Sequence, residues 1–217
     1  MHFIASQGDR LMLGRLMGAT TLGVYSIAVY VSETVGSLTI RIVHGVFYPV
    51  FSRVVREDRA SLARIYYKTR LRLDLLAMPA LGGLSVLGPW VIDLLWDDRY
   101  RGAGWMLQLL TARVALSVWA TPCQTCLVAL GQPRHAFART VARMVSVLIG
   151  VPTGYALGGV EGLVLAVALS EVPGLFVLLP PFAREGLLRP TRELIAPLMF
   201  GLGAGVAALL DPWLPRW

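Results

Sequence analysis

The sequence predicts an all-α fold: a polytopic transmembrane helical bundle with about six full spans plus a truncated N-terminal helix. Three observations carry that expectation. Mean hydropathy is +0.64, and charged residues make up only 15% of the chain, against about 25% in soluble domains. Apolar stretches at 22–50, 73–95, 104–130, 138–157, 160–182 and 194–210 reach spanning length, since a helix needs roughly 20 apolar residues to cross about 30 Å of hydrocarbon. Finally, Arg and Lys collect in alternate gaps between these stretches. A membrane barrel would instead show short segments of alternating hydropathy, which are absent from the sequence.

The chain opens in an amphipathic run, His2 to Met17, which reads as the end of a truncated span. It shows no basic n-region followed by a small-residue cleavage site, so no signal peptide is expected. The first full stretch, 22–50, is long enough to tilt or to protrude, and the last, 194–210, is near the lower limit. Pro79, Pro89, Pro122, Pro152, Pro173 and Pro197 place a proline in five of the six stretches. Each removes a backbone hydrogen bond, so kinks are expected there. Repeated breaks suit helices that bend between two states.

Charge fixes the topology. The gap 53–72 carries Arg53, Arg56, Arg59, Arg64, Lys68, Arg70 and Arg72. Arg134, Arg139 and Arg143 follow the third stretch, and Arg184, Arg189 and Arg192 follow the fifth. The intervening gaps and the tail hold only Arg99, Arg101 and Arg216. By the positive-inside rule the Arg-rich side is cytoplasmic. Trp90, Trp96, Tyr100, Trp105, Tyr155 and Trp213 gather toward the opposite side, as interfacial aromatics do. The formal charge of +7, with nineteen Arg and Lys68 the sole lysine, is then loop charge that sets orientation; no nucleic-acid partner is implied.

Charge left inside the spans points to function. Tyr30, Glu33, Ser37, Arg41, His44 and Tyr48 recur every three or four residues, within an arc of roughly 80° at about 100° per residue. Arg41 lies far from either end of its span, where a charge costs from about 2.5 to above 10 kcal/mol. That cost is tolerable where the stripe borders a wet cavity; an ion pair with another helix is the plainer alternative. Arg113, Ser117, Thr121 and Gln124 form a weaker second stripe, where Ser and Thr equally serve helix packing. Arg139, Arg143, Ser146 and Gly150 share a face that reads as close helix packing. Glu171, just ahead of Pro173-Gly174, is either a proton or cation site or the partner of a neighbouring Arg. The candidate substrate-cavity residues are thus Arg41, His44, Glu33, Ser37, Arg113 and Gln124, with Glu171 for ion coupling. Two cationic stripes imply an anionic ligand, because Arg matches phosphate bidentately.

Enzymatic apparatus is missing from the sequence. It contains no Walker loop, G-x-S-x-G or H-E-x-x-H, and no paired carboxylates share a face. Cys123 and Cys126 form a C-x-x-C inside an apolar span, without a second pair or a His cluster to complete a zinc site. No catalytic residue, metal or cofactor is expected.

The opening stretch, Gln7-Gly-Asp-Arg-Leu-Met-Leu-Gly-Arg-Leu-Met-Gly-Ala-Thr-Thr-Leu-Gly-Val-Tyr-Ser-Ile-Ala, resembles a signature of bacterial polysaccharide (Wzx-like) flippases. These belong to the multidrug/oligosaccharidyl-lipid/polysaccharide exporter superfamily. Asp9, Arg10, Gly14, Gly18, Gly23, Tyr25 and Ala28 match the motif that opens the second six-helix lobe. Pro49-Val-Phe-Ser-Arg53 and Ala129-Leu-Gly-Gln-Pro-Arg134 resemble later helix ends. The resemblance implies that 1–185 is the second, C-terminal lobe with its first helix truncated, and that 186–217 is an additional C-terminal transmembrane helix and tail. It further implies a non-enzymatic carrier in the bacterial inner membrane that flips undecaprenyl-diphosphate-linked glycan by alternating access, alongside membrane lipids and polysaccharide polymerase or glycosyltransferases. In this family two lobes surround a cationic cavity, so the chain is expected to be part of a longer protein. A membrane-embedded glycan polymerase or ligase is the alternative, opposed by the short outer gaps at Trp96–Ala103 and Gly158–Glu161. An ion-coupled drug exporter of the same superfamily is another, opposed by the cationic bias.

Overall fold

The computed structural model describes residues 2–213, and their side chains from Gly18 onward. Its elements are α1 (His2–Ile42), a π-helical turn (Val43–Phe47), α2 (Tyr48–Glu57), α3 (Leu62–Leu95), α4 (Ala103–Ala129), α5 (Pro133–Leu169), α6 (Val172–Arg184), α7 (Pro190–Glu193) and α8 (Ile195–Leu210). Short 3₁₀ turns fill connections at Arg59–Ser61 and Asp98–Tyr100. Among the described residues there is no strand, and the all-α polytopic bundle stands.

The span count differs from six. Among the described residues four stretches are long and apolar enough to cross a membrane: 18–57, 59–95, 133–184 and 190–213. Two of the expected spans, 138–157 and 160–182, fall within the single stretch 133–184, because the chain reverses with almost no loop. Gly158 and Gly159 leave helical dihedrals, Gly159 at φ 58°, a left-handed conformation that glycine adopts without a Cβ penalty. The reversal is proven by contact: a Cβ on Gly154 would lie 2.4 Å from the Gly162 carbonyl oxygen. In a straight helix residues eight apart are separated by about 12 Å. The expected span 104–130 exists as α4 but is not among the four, its apolar residues interrupted by Gln108, Thr111, Arg113, Ser117, Thr121, Gln124 and Thr125. That polarity suits its place. Helix α4 is the hub, packed against α1, α3, α5 and α6, so its surface meets protein.

Most prolines inside these helices do not break them. Pro79 and Pro89 lie inside α3 and Pro122 inside α4, and neither helix contains a residue with non-helical dihedrals. Breaks sit at Gly18 in α1, at Gly158–Gly159 in α5 and at Ser170–Glu171, where α5 ends just ahead of Pro173 at the start of α6. The expected break is therefore met at Pro173, while Pro79, Pro89 and Pro122 leave helical dihedrals intact. Pro49 has a visible effect of another kind. It cannot donate to the Gly45 carbonyl four residues earlier, and the π turn Val43–Phe47 surrounds that carbonyl.

The core forms two layers. Toward the Arg-rich end, Phe47, Phe51, Tyr66, Tyr67 and Phe182 make an aromatic cluster with ring centroids 5.0–5.7 Å apart. Toward the other end, Tyr25, Ala28, Ile92, Leu107, Leu110, Val151 and Leu163 are buried together. Helix α8 joins the bundle by backbone-to-backbone packing on α3: a Cβ on Gly82 would lie 2.0 Å from the Phe200 carbonyl oxygen, and one on Gly203 would lie 2.2 Å from that of Pro79.

Candidate functional site

Where α1 gives way to its π turn, a polar recess opens between that turn, α4 and α5. Ile40, His44, Ser117, Thr121, Gln124, Arg139, Thr140 and Arg143 line it, and its volume is about 180 Å³. Two close approaches build it. Helix α1 presses on α4 at Gly36, where a Cβ would lie 2.7 Å from Val114 Cγ1. Helix α6 leaves room at Gly174 for the Arg139 side chain, whose Cγ would lie 2.9 Å from a Cβ there. Arg139 can therefore cross the bundle interior.

Glu171, at the N-cap of α6 and 0% exposed, is the counter-ion. It accepts from Arg139 Nη2 at 3.0 Å. Arg143 Nε lies 3.2 Å from Glu171 Oε1, an ion-pair contact that leaves this oxygen without a hydrogen bond. Arg139 also donates to Gln124 Oε1 and, at 3.4 Å, to Ser117 Oγ. The Thr121 hydroxyl donates to the Ser117 carbonyl at 2.6 Å, which leaves its oxygen an acceptor. Arg143, 38% exposed, makes no other ion pair, and its terminal nitrogens have no hydrogen-bond partner among the described residues. One buried carboxylate thus holds two guanidinium groups, one locked and one with free donors beside His44.

The predicted site residues are brought together unevenly. His44 and Gln124 line the recess. Arg113, 7% exposed, ion-pairs with Glu33 at 2.8 Å across the α1–α4 contact. For Glu33 the plainer alternative, an ion pair with another helix, describes the geometry. Ser37 is exposed and donates to the Thr34 carbonyl at 3.0 Å. Arg41 is exposed on the open face of α1, outside the recess and without an ion pair among the described residues. The exposed stripe runs from α1 through the π turn to the start of α2, with Tyr30 67% and Tyr48 46% accessible. Among the motif residues, Tyr25 is fully buried in the core; the side chains of Asp9, Arg10 and Gly14 lie outside the described residues.

Two features escaped the sequence reading. Arg139 and Arg143 read as loop charge and packing, although their i,i+4 spacing on the face toward Gln124 marks a paired site. Arg70, read as a loop charge, is 2% exposed. It donates to Asp74 Oδ2 at 3.2 Å, to the Tyr66 hydroxyl at 2.8 Å and to Glu193 Oε1 at 2.9 Å, and Trp119 Nε1 donates to Glu193 at 3.0 Å. Glu193 lies 123 residues away in sequence, so no local pattern signals the pair. Cys123 and Cys126 are buried free thiols, and the described residues contain no group of three metal-ligating side chains.

Residues 1–104 match the family model described as polysaccharide biosynthesis protein. Over 185 residues the chain is 23% identical to the lipopolysaccharide biosynthesis protein WzxC of Escherichia coli K12, covering 83% of this chain and 37% of that protein. Over 212 residues it is 26% identical to the succinoglycan biosynthesis transport protein ExoT of Rhizobium meliloti, covering 93% and 42%. The teichuronic acid biosynthesis protein TuaB of Bacillus subtilis is 29% identical over 130 residues, covering 59% and 26%. No solved structure matches. The chain spans about two fifths or less of the length of these relatives. The resemblance read from the opening residues is borne out, and the chain is a multi-pass membrane relative of bacterial polysaccharide biosynthesis and transport proteins.

Proposed function

We propose that this chain is the second lobe of a non-enzymatic carrier that flips a lipid-linked glycan precursor across the bacterial inner membrane by alternating access. In this reading 186–217 is an added helix and tail, and the Arg-rich ends face the cytoplasm. The observation that carries the proposal is the recess in which Arg143 presents free donors beside His44, with Arg139 and Glu171 behind. A fixed guanidinium fork at bilayer depth suits a phosphate group, and the diphosphate of an undecaprenyl carrier supplies one. The names of the relatives, which concern lipopolysaccharide, teichuronic acid and succinoglycan, support a glycan cargo. Glycosyltransferases and a polymerase are the enzymes that would precede and follow such a step.

The ion pairs suggest how cargo and coupling ion communicate. A diphosphate drawn to Arg143 and Arg139 competes with Glu171 for the same donors. Cargo bound at the arginines would therefore loosen the Arg139–Glu171 pair, and Glu171 is the residue assigned to ion coupling in this reading. Arg41, Glu33 and Ser37, on the open face of α1, would line the path facing the other lobe.

Complementation of a flippase-deficient strain by the full-length reading frame tests the reading. Arg143→Gln and Arg41→Ala are expected to lower surface glycan at least tenfold at equal membrane abundance, and Arg143→Lys to restore part of it. Normal export by Arg143→Gln refutes the role of the recess.

A further inference from the structure

A second polar pocket, of about 340 Å³, lies between α3 and the α7–α8 segment; Arg64, Lys68, Arg70, Asp74 and Arg192 are among its lining. Its size falls in the range of about 300–1,000 Å³ typical of ligand sites. Four of these side chains are cations and one is a carboxylate, so the lining is strongly positive. Arg70 is 2% exposed, yet its Nη2 has no partner, and a buried donor left unpaired forfeits its hydration without return. Asp74, also 2% exposed, leaves Oδ1 unpaired in the same way. Around them, Arg192 lies over the Tyr67 ring at 5.4 Å, and Arg64 donates to Ser61 Oγ at 2.9 Å. Neither Lys68 nor Arg192 ion-pairs with a carboxylate among the described residues.

Depth narrows the ligand. Helix α3 has 34 residues, about 51 Å at 1.5 Å per residue, well beyond the roughly 30 Å of hydrocarbon. Its Arg64–Arg70 end therefore reaches the level of lipid head groups. We propose that this pocket is a phosphate-binding site, with Arg70, Lys68 and Arg192 as donors to the phosphate and Asp74 as acceptor for a hydroxyl on the same ligand. The site is separate from the recess of His44 and Arg143 and does not depend on the carrier reading. An acidic phospholipid with a glycerol head group and a soluble glycerol phosphate present the same chemistry.

Native mass spectrometry of the full chain, released from neutral detergent, tests the proposal with two probes: phosphatidylglycerol and glycerol 3-phosphate. The variant is Lys68→Gln/Arg192→Gln, which removes two exposed charges and leaves the buried Arg70 pairs intact. Its charge-matched control is Arg53→Gln/Arg56→Gln on the same side of the bundle, and equal melting temperatures establish that both fold. Binding of phosphatidylglycerol that weakens at least tenfold in the variant and within twofold in the control supports the site with a lipid as its ligand. The same pattern with glycerol 3-phosphate alone supports a soluble ligand. Binding of neither probe, or equal loss in variant and control, overturns it.

Discussion

Neutralising Glu171 removes the only carboxylate that Arg139 contacts among the described residues. The carboxylate is 0% exposed and the Arg139 side chain 9%, so water cannot take its place. At their 3.0 Å separation the attraction is about 5–6 kcal/mol for an effective dielectric of about 20. Much of it offsets desolvation, and truncating one partner of a buried pair costs about 3–5 kcal/mol, because the other charge is left stranded. Glu171→Gln keeps one acceptor oxygen and belongs at the lower end, about 3 kcal/mol; Glu171→Ala belongs at the upper end. The Arg143 contact adds little, since that side chain is 38% exposed and solvent screens it. The assay is unfolding by sodium dodecyl sulfate in mixed micelles, followed by tryptophan fluorescence. The double variant Arg139→Gln/Glu171→Gln is expected to lose less than the two single losses added together, since it strands no charge. If Glu171→Gln unfolds within about 0.5 kcal/mol of the parent, below any buried-pair cost, the buried ion pair is refuted.

Two further outcomes follow. Gly203→Val places side-chain atoms where a Cβ alone would lie 2.2 Å from the Pro79 carbonyl oxygen; overpacking of about 1–3 kcal/mol or more is expected in the same titration, whereas Gly201→Val, at a position with open space, is expected to stay within about 0.5 kcal/mol. Asp58, in the connection before α3, accepts from the Ser61 hydroxyl, and chiefly this bond holds its carboxyl below the ordinary value of 3.8. A lowered folded value stabilises the turn above the unfolded value, and that contribution is lost as pH falls through the folded one. Hydrogen exchange at the Ser61 amide, corrected for intrinsic rate, is expected to lose protection below pH 3.8, and Asp58→Asn to abolish the pH dependence.

The fold was legible because its signals are local. Apolar runs located α4, α8 and the C-terminal end of α3 within a few residues, whereas the polar first turns of α3, the division between α5 and α6, and the short α7 were not foreseen. The hairpin at Gly158–Gly159 was marked as a gap without positive charge, but its tightness depends on glycines meeting across the turn. The site was legible only in part. Residues on one helix face can be grouped from spacing, which found His44, Gln124, Glu33 and Arg113. Which of them meet depends on contacts between distant segments, such as Arg139 with Glu171, 32 residues on, or Arg70 with Glu193. Positive charge at the end of a span also carries two meanings, orientation and pairing, and composition cannot separate them. Arg70, Arg139 and Arg143 were hidden for that reason.

The two arms of α5 are fastened at both extremities. At one, Gly154 and Gly162 touch backbone to backbone beside a two-residue reversal; at the other, guanidinium groups from the first arm grip the carboxylate that follows the second. While both fastenings hold, a lever pinned twice cannot scissor, and these arms travel as a single plank. Any widening of the His44 chamber then has to originate in the π turn and its neighbours, where a surplus residue already loosens the winding of the helix.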